Sequence, residues 1–227
     1  MLRELSYLMK LGKIYEEEMT ISKASITILK LFIALGILDL VFVALRVYID
    51  HSAQIELPRS NDSLSEYPEY VSFLIAILFA PVVEELTFRL GLKFTKANFI
   101  IMCAGIIYIT IKVLFNTESY IALLISVLVN ILFFFIIQAK AKSRLEKFWK
   151  TNEVTIFYLL LGLFSLFHLA NYELNKQMGV LSFILVLPHF FAGIILSYAR
   201  LKLGIVPAIL LHTLGNAAIF LPSLLIK

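Results

Sequence analysis

Cysteine is nearly absent: one residue, Cys103, stands in a chain of 227. No intrachain disulfide can form and no CxxC pair exists, so a disulfide scaffold and a cysteine-built zinc site are excluded. Charge is scarce as well. Asp, Glu, Lys and Arg make up 16% of the chain, against about 25% in an average soluble domain. Histidine occurs only four times. No two glycines stand at GxxxG spacing, which removes the commonest small-residue dimerisation face of membrane helices. There is no internal repeat, no low-complexity segment and no basic stretch interleaved with aromatics. A collagen, a disordered chain and a nucleic-acid-binding surface are thereby excluded.

What the chain does contain is apolar. The hydrophobic fraction is 60% and the mean hydropathy is +0.91, whereas soluble domains reach only about 45–50%. So few charges could not cover so much apolar surface, which excludes a soluble enzyme. The expected fold is all-α, a polytopic transmembrane helical bundle. A span needs ~20 apolar residues, and seven segments qualify, at about 24–48, 70–91, 97–115, 119–138, 154–172, 180–199 and 204–224. The first 23 residues lack the basic start, short apolar core and A-x-A-like site of a signal peptide. They read as a cytoplasmic arm, 1–23, ahead of one membrane domain, 24–227.

Lys and Arg alternate between the gaps. The arm holds Arg3, Lys10, Lys13 and Lys23. The gap after the second span holds Lys93 and Lys96, that after the fourth Lys140, Lys142, Arg144, Lys147 and Lys150, and that after the sixth Arg200 and Lys202. The loop after the first span carries Asp50, Glu56, Asp62, Glu66 and Glu69 with Arg59, and the third and fifth gaps hold only Lys112 and Lys176. The positive-inside rule then puts the N-terminus in the cytoplasm and the C-terminus outside. Trp149, Tyr70, Tyr120, Tyr172 and Tyr198 fall near span ends, where interfacial aromatics gather.

Ionisable groups at span depth are costly and become functional candidates by default. Here they are Asp39, Glu84, Glu85, Arg89, His168, His189 and His212, with Asn216 as the main amide. Glu85 and Arg89 stand at i and i+4 and can pair along a helix. Glu84 lies about 100° around the helix from Glu85, free to face a cavity. His212 and Asn216 are also i and i+4 and share one face. Taken singly, each group reads equally as a buried ion pair or an interhelical hydrogen bond. Taken together, two carboxylates, imidazoles and an amide on three helices could line one hydrolytic pocket. His189, after Pro188, is expected to be structural, and Asp39 a bundle-facing polar contact.

Several intramembrane chemistries are excluded by missing motifs. There is no HExxH zinc-protease helix, no Gly-x-Ser-x-Gly elbow, no rhomboid GxSx or presenilin GxGD pattern, and no ExxH pair. Four histidines are too few for a His-box oxygenase. What is present is Glu84-Glu85-x-x-x-Arg89, Phe164-x-x-x-His168 and His212-x-x-x-Asn216, in that order. With these three motifs the chain resembles the CPBP family, also called the Abi or CAAX-protease-like family, which includes prenyl-protein endopeptidases of the Rce1 type. The resemblance runs from Glu84 to Asn216, over half of the chain. One departure stands out: two extra spans lie between Arg89 and Phe164, where many relatives place the second motif on the next helix. Two spans preserve the direction of the helix that carries His168.

The resemblance implies an intramembrane endopeptidase acting on a membrane-associated protein or peptide, in an integral, multi-pass protein of a cell membrane, read as bacterial, where the substrate need not be prenylated. It implies that Glu84 activates water, that His168 holds or deprotonates it, that Glu85 and Arg89 support them, and that His212 and Asn216 stabilise the oxyanion. Which glutamate is the base stays open from sequence. So does the cofactor: Glu84, His168 and His212 could hold Zn2+ with a position left for water, or could work without a metal. Two other functions compete: a non-catalytic membrane immunity or scaffold protein of the same family, and a transporter, which should show broken helices in paired repeats that the sequence lacks. Depth provides one check. At 1.5 Å per residue, Glu84 and His212 lie roughly 10 and 12 Å inside their spans, but His168 comes out near ~21 Å. The fifth helix is therefore expected to start early, near Lys147.

Overall fold

The computed structural model describes residues 1–14, 20–52, 68–115, 117–137, 139–172 and 182–225. The acidic triplet Glu16, Glu17 and Glu18, the loop residues Glu56, Arg59, Asp62 and Glu66, and Lys176 lie outside them. Among the described residues the elements are all helices, as the composition requires of a chain that must satisfy its backbone inside lipid. They are α1 (Leu2–Leu11), α2 (Ile21–Ser52), α3 (Glu69–Leu74), α4 (Ala80–Phe88), α5 (Lys96–Phe115), α6 (Ser119–Ile136), α7 (Ala139–Thr151), α8 (Glu153–Phe167), α9 (Ser182–Leu203) and α10 (Ile205–Leu225). A π-turn, Ile75–Phe79, joins α3 to α4, so that Glu69–Leu92 acts as one span. Six of these segments are long and apolar enough to cross a membrane; the described apolar stretch of the last, Ile205–Leu221, is shorter. The chain is an integral, multi-pass membrane protein.

Burial ranks the helices. In α9, 56% of the apolar stretch is buried, against 6% in α5, so α9 is the central post and α5 stands at the rim. The core joins Leu31 and Leu35 of α2, Phe157 and Leu161 of α8, Ile194 and Leu196 of α9, and Ala208 and Leu211 of α10. On α6, Leu124, Leu128 and Leu132 remain more than half exposed, which is the outward apolar face a lipid-facing helix presents. The two extra spans thus form a side hairpin. Ser126 of α6 donates to Ala104 O of α5 at 2.7 Å, closing that hairpin on itself.

Tertiary contacts change the reading of the basic gaps. The basic gap after the fourth span is not a loop: residues 139–151 form α7, braced by the Glu146–Lys150 pair at 3.2 Å. Its Trp149 is buried against the protein, where its indole N–H donates to Gly91 O at 2.8 Å. The gap after the sixth span is also helical. Arg200 and Lys202 belong to α9, which ends only at Gly204 (φ 107°), one residue before α10. Both charges can stay helical because each finds a partner: Arg200 at the end of α4, and Lys202 at Glu4 of α1, 2.8 Å away. Tyr198, expected at the interface, is 2% exposed and donates to the same Glu4 at 2.8 Å.

The N-terminal arm therefore contains a docked helix. Leu8 of α1 is fully buried in the core cluster. Gly12 ends α1 in the left-handed region (φ 64°) with its N–H on Leu8 O. A Cβ there would stand 2.6 Å from Glu153 O, so glycine is required both by the backbone turn and by the approach to α8.

Candidate active site

The site begins with Pro81. Lacking an N–H and clashing with the preceding turn, a proline disturbs the helix ahead of it, and here the π-turn Ile75–Phe79 lies just before α4. Such turns leave backbone carbonyls short of partners. Asn216 of α10 donates its amide to one of them, Ala76 O, at 2.8 Å. This ties α10 to the segment that presents the two glutamates.

Glu84 and Glu85 take different positions. Glu85 is fully buried. Its Oε1 faces Arg89 Nη1 at 3.6 Å and accepts from His212 Nδ1 at 2.9 Å. Arg89, also buried, lies over the Phe164 ring at 3.6 Å, a cation–π contact that is strong when desolvated. A buried pair of this kind is costly unless each charge is held by further groups. Arg200 of α9 adds the cap: its guanidinium donates to Arg89 O at 3.3 Å and Leu90 O at 3.5 Å, where α4 runs out of intrahelical donors.

Glu84 is the open carboxylate, with 24% of its side chain exposed. Its Oε2 is 3.8 Å from His168 Nε2 and 3.7 Å from His212 Nε2. The tautomers follow from the other ring nitrogens. His168 Nδ1 lies 2.7 Å from Phe164 O; a carbonyl only accepts, so Nδ1 donates. His212 Nδ1 donates likewise to the Glu85 carboxylate. In both neutral rings Nε2 then carries a lone pair, aimed towards Glu84. Glu84 Oε2 is itself buried with no hydrogen-bond partner among the described residues. Two imidazole lone pairs and one carboxylate oxygen thus look at one another, an arrangement that calls for a molecule with protons to give.

The shared depth holds, but not for the expected reason. The helix carrying His168 starts at Glu153, after a break at Asn152, and not near Lys147. It matches its neighbours because its first turns project beyond the end of α4. There α8 packs on α1 through Tyr158 OH to Met9 O at 2.7 Å, and on the residues just after it through Lys13–Glu153 at 3.0 Å.

Of the expected site residues, Glu84, Glu85, Arg89, His168 and His212 come together, and Asn216 joins them through Ala76 O. Asp39 is half-buried on α2. Three participants were not singled out for the site. Phe164, known only as a motif letter, carries Arg89 on its face and meets the His168 ring edge-on at 4.6 Å. Arg200 was counted as a loop cation. His189 was expected to be structural, yet its ring stacks on His168 with centroids 3.8 Å apart; an imidazole inside a span was the available signal.

Glu, His and His form a donor set that zinc accepts. Donors about 2.0 Å from a tetrahedral ion stand about 3.3 Å apart, whereas these Nε2 atoms are 3.8 and 3.7 Å from Glu84 Oε2. Among the described residues no group of three His, Cys, Asp or Glu is placed to hold a metal ion. Their spacing is a few tenths of an ångström wider than a bound zinc ion would set, and Glu84, His168 and His212 are the residues that would hold one.

Fold and site together define a polytopic helical membrane protein with a buried carboxylate–imidazole cluster drawn from four helices, α4, α8, α9 and α10. The chain matches the family model of the type II CAAX prenyl endopeptidases, Rce1-like, over residues 67–218, and it belongs to that family of membrane proteases. No curated protein and no solved structure matches it.

Proposed function

We propose that the protein is an intramembrane endopeptidase that cleaves a membrane-associated protein or peptide with water activated by Glu84. The carrying observation is Glu84 Oε2, unpartnered and faced by the Nε2 atoms of His168 and His212. A water held there gives one hydrogen to Glu84 and the other to His168 Nε2. Glu84 takes the first proton as the water oxygen attacks the peptide carbonyl carbon. The C–N bond then breaks, and Glu84 returns that proton to the leaving amine. Glu85, engaged by Arg89 and His212, is the orienting carboxylate rather than the base.

Oxyanion stabilisation falls to His212 and Asn216, with hydrogens that the resting contacts leave over. His212 Nδ1–H is held by Glu85 and one Asn216 amide hydrogen by Ala76 O. The donors offered to the oxyanion are the second amide hydrogen of Asn216 and Nε2–H of His212 while that nitrogen holds the proton Glu84 took from water, a proton that goes back to Glu84 before the amine leaves. The substrate is a tethered chain, because the cluster sits roughly 10 Å inside its spans.

The test uses the full chain reconstituted in liposomes with membrane-anchored peptides, prenylated and not, and products read by mass spectrometry. Glu84→Gln and His168→Ala should each lower turnover by about 10²–10⁴-fold, the share expected of a general base and its partner, with thermal unfolding unchanged. Full turnover in both variants would remove the catalytic reading and leave a non-catalytic membrane protein of the family.

A further inference from the structure

His189 belongs to none of the three motifs, yet of the described side chains it lies flattest against the site. It follows Pro188 inside α9. Proline removes one backbone N–H and bends the helix locally, so the ring after it is presented from a disturbed turn of the most buried helix. Its imidazole lies over that of His168 with centroids 3.8 Å apart and planes 22° from parallel. On another side the His168 ring meets Phe164 edge-on, centroids 4.6 Å apart at 68°. At its rim His168 Nδ1 donates to Phe164 O at 2.7 Å.

These three restraints do different things. The hydrogen bond fixes which nitrogen carries the proton, but a single bond to a carbonyl leaves the ring free to swing about that contact. Phe164 blocks one direction of swing. His189 covers a face and removes the other. His168 stands where α8 ends: the helix closes at Phe167 and a 3-10 turn, His168–Asn171, takes over.

We propose that His189 is a positioning residue: its stacked ring fixes the plane of the His168 imidazole so that Nε2 points at Glu84. The inference rests on the reading of Glu84 and His168 as the water-activating pair. It assigns His189 no proton transfer. What it supplies is a flat aromatic surface at van der Waals distance, and preorganisation of this kind is felt in the rate more than in substrate binding.

The experiment compares His189→Ala with His189→Phe in the full chain in liposomes. His189→Ala should lower kcat roughly ten- to a hundredfold, the effect of a small misplacement of a reacting group, with KM within about twofold. His189→Phe, which keeps a ring over His168, should restore most of kcat. A second readout needs no turnover: nitrogen-15 NMR of histidine-labelled protein in bilayers. The His168 ring signals should be single in the native chain and in His189→Phe, and broadened or doubled in His189→Ala. Native kcat and single signals in His189→Ala would overturn the proposal. So would failure of His189→Phe to restore either readout, or equal losses in kcat and 1/KM. If instead Glu84→Gln keeps full turnover, the hydrolytic reading falls, and the His168 signals still decide whether His189 holds the ring.

Discussion

Adjacent glutamates in one motif have opposite fates because a helix turns them about 100° apart. Glu85 points into the protein, where Arg89, His212 and the Phe164 ring around Arg89 hold it. Glu84 points to the gap between α8 and α10, where two bare imidazole nitrogens meet it. Burial therefore separates the two carboxylates, one enclosed and one open. Thr87, between these residues and Arg89, makes the segment intolerant of pressure from α5. A Cβ at Gly105 would fall 2.7 Å from Thr87 Cβ and 2.9 Å from its Cγ2, and a β-branched side chain has little freedom to retreat. Gly105→Ala should cost about 1–3 kcal/mol of stability, the usual range for overpacking, seen as a lower Tm in detergent. An unchanged Tm would mean that α5 does not press on α4.

Single elements were legible where their signal is local. The apolar runs located the spans, since ~20 apolar residues are needed whatever the fold. Helices that depend on distant partners were missed. Arg200 and Lys202 look like the end of a span until Arg89 O, Leu90 O and Glu4 are seen to receive them. The same holds for α1, polar enough to read as a free arm. Its docking includes Glu4, whose carboxyl the bonded Lys202 ammonium and the Tyr198 hydroxyl draw from 4.5 down to about 2. A depressed carboxyl stabilises the docked form above the ordinary value and loses that effect as pH falls towards the folded one. Hydrogen-exchange protection of residues 2–11 should thus weaken between pH 4.5 and about 2. Glu4→Gln should show reduced protection already at neutral pH and little change on acidification. Strong, pH-independent protection in the variant would show that Leu8 and the apolar face hold α1 alone.

At the scale of the molecule, α9 organises the rest: it packs against α2, α8 and α10 and carries His189 and Arg200. The α5–α6 hairpin enters the chain between the first two motifs but contributes no side chain to the cluster, and α4 and α8 still meet across the 74 residues that separate Arg89 from Phe164. The cluster forms despite the insertion because the hairpin packs outward on α4. The positive-inside pattern predicts which end of the molecule faces the cytoplasm. In a Cys103→Ser background, Lys10→Cys should resist a membrane-impermeant maleimide in intact cells and react after lysis, while Glu56→Cys should react in both. Labelling at position 10 from outside would reverse the orientation.

Sequence by itself determined the solvent, the helical class, the approximate spans and the residues worth watching. Each of these is a local property: apolar length, charge scarcity, or spacing along one helix. Tertiary structure alone decided which carboxylate is open, that Asn216 reaches a π-turn carbonyl, that Arg200 caps α4, and that His189 lies on His168. Those outcomes depend on which helix faces come together, and packing between segments far apart in the chain leaves no mark in the spacing of residues within any one of them.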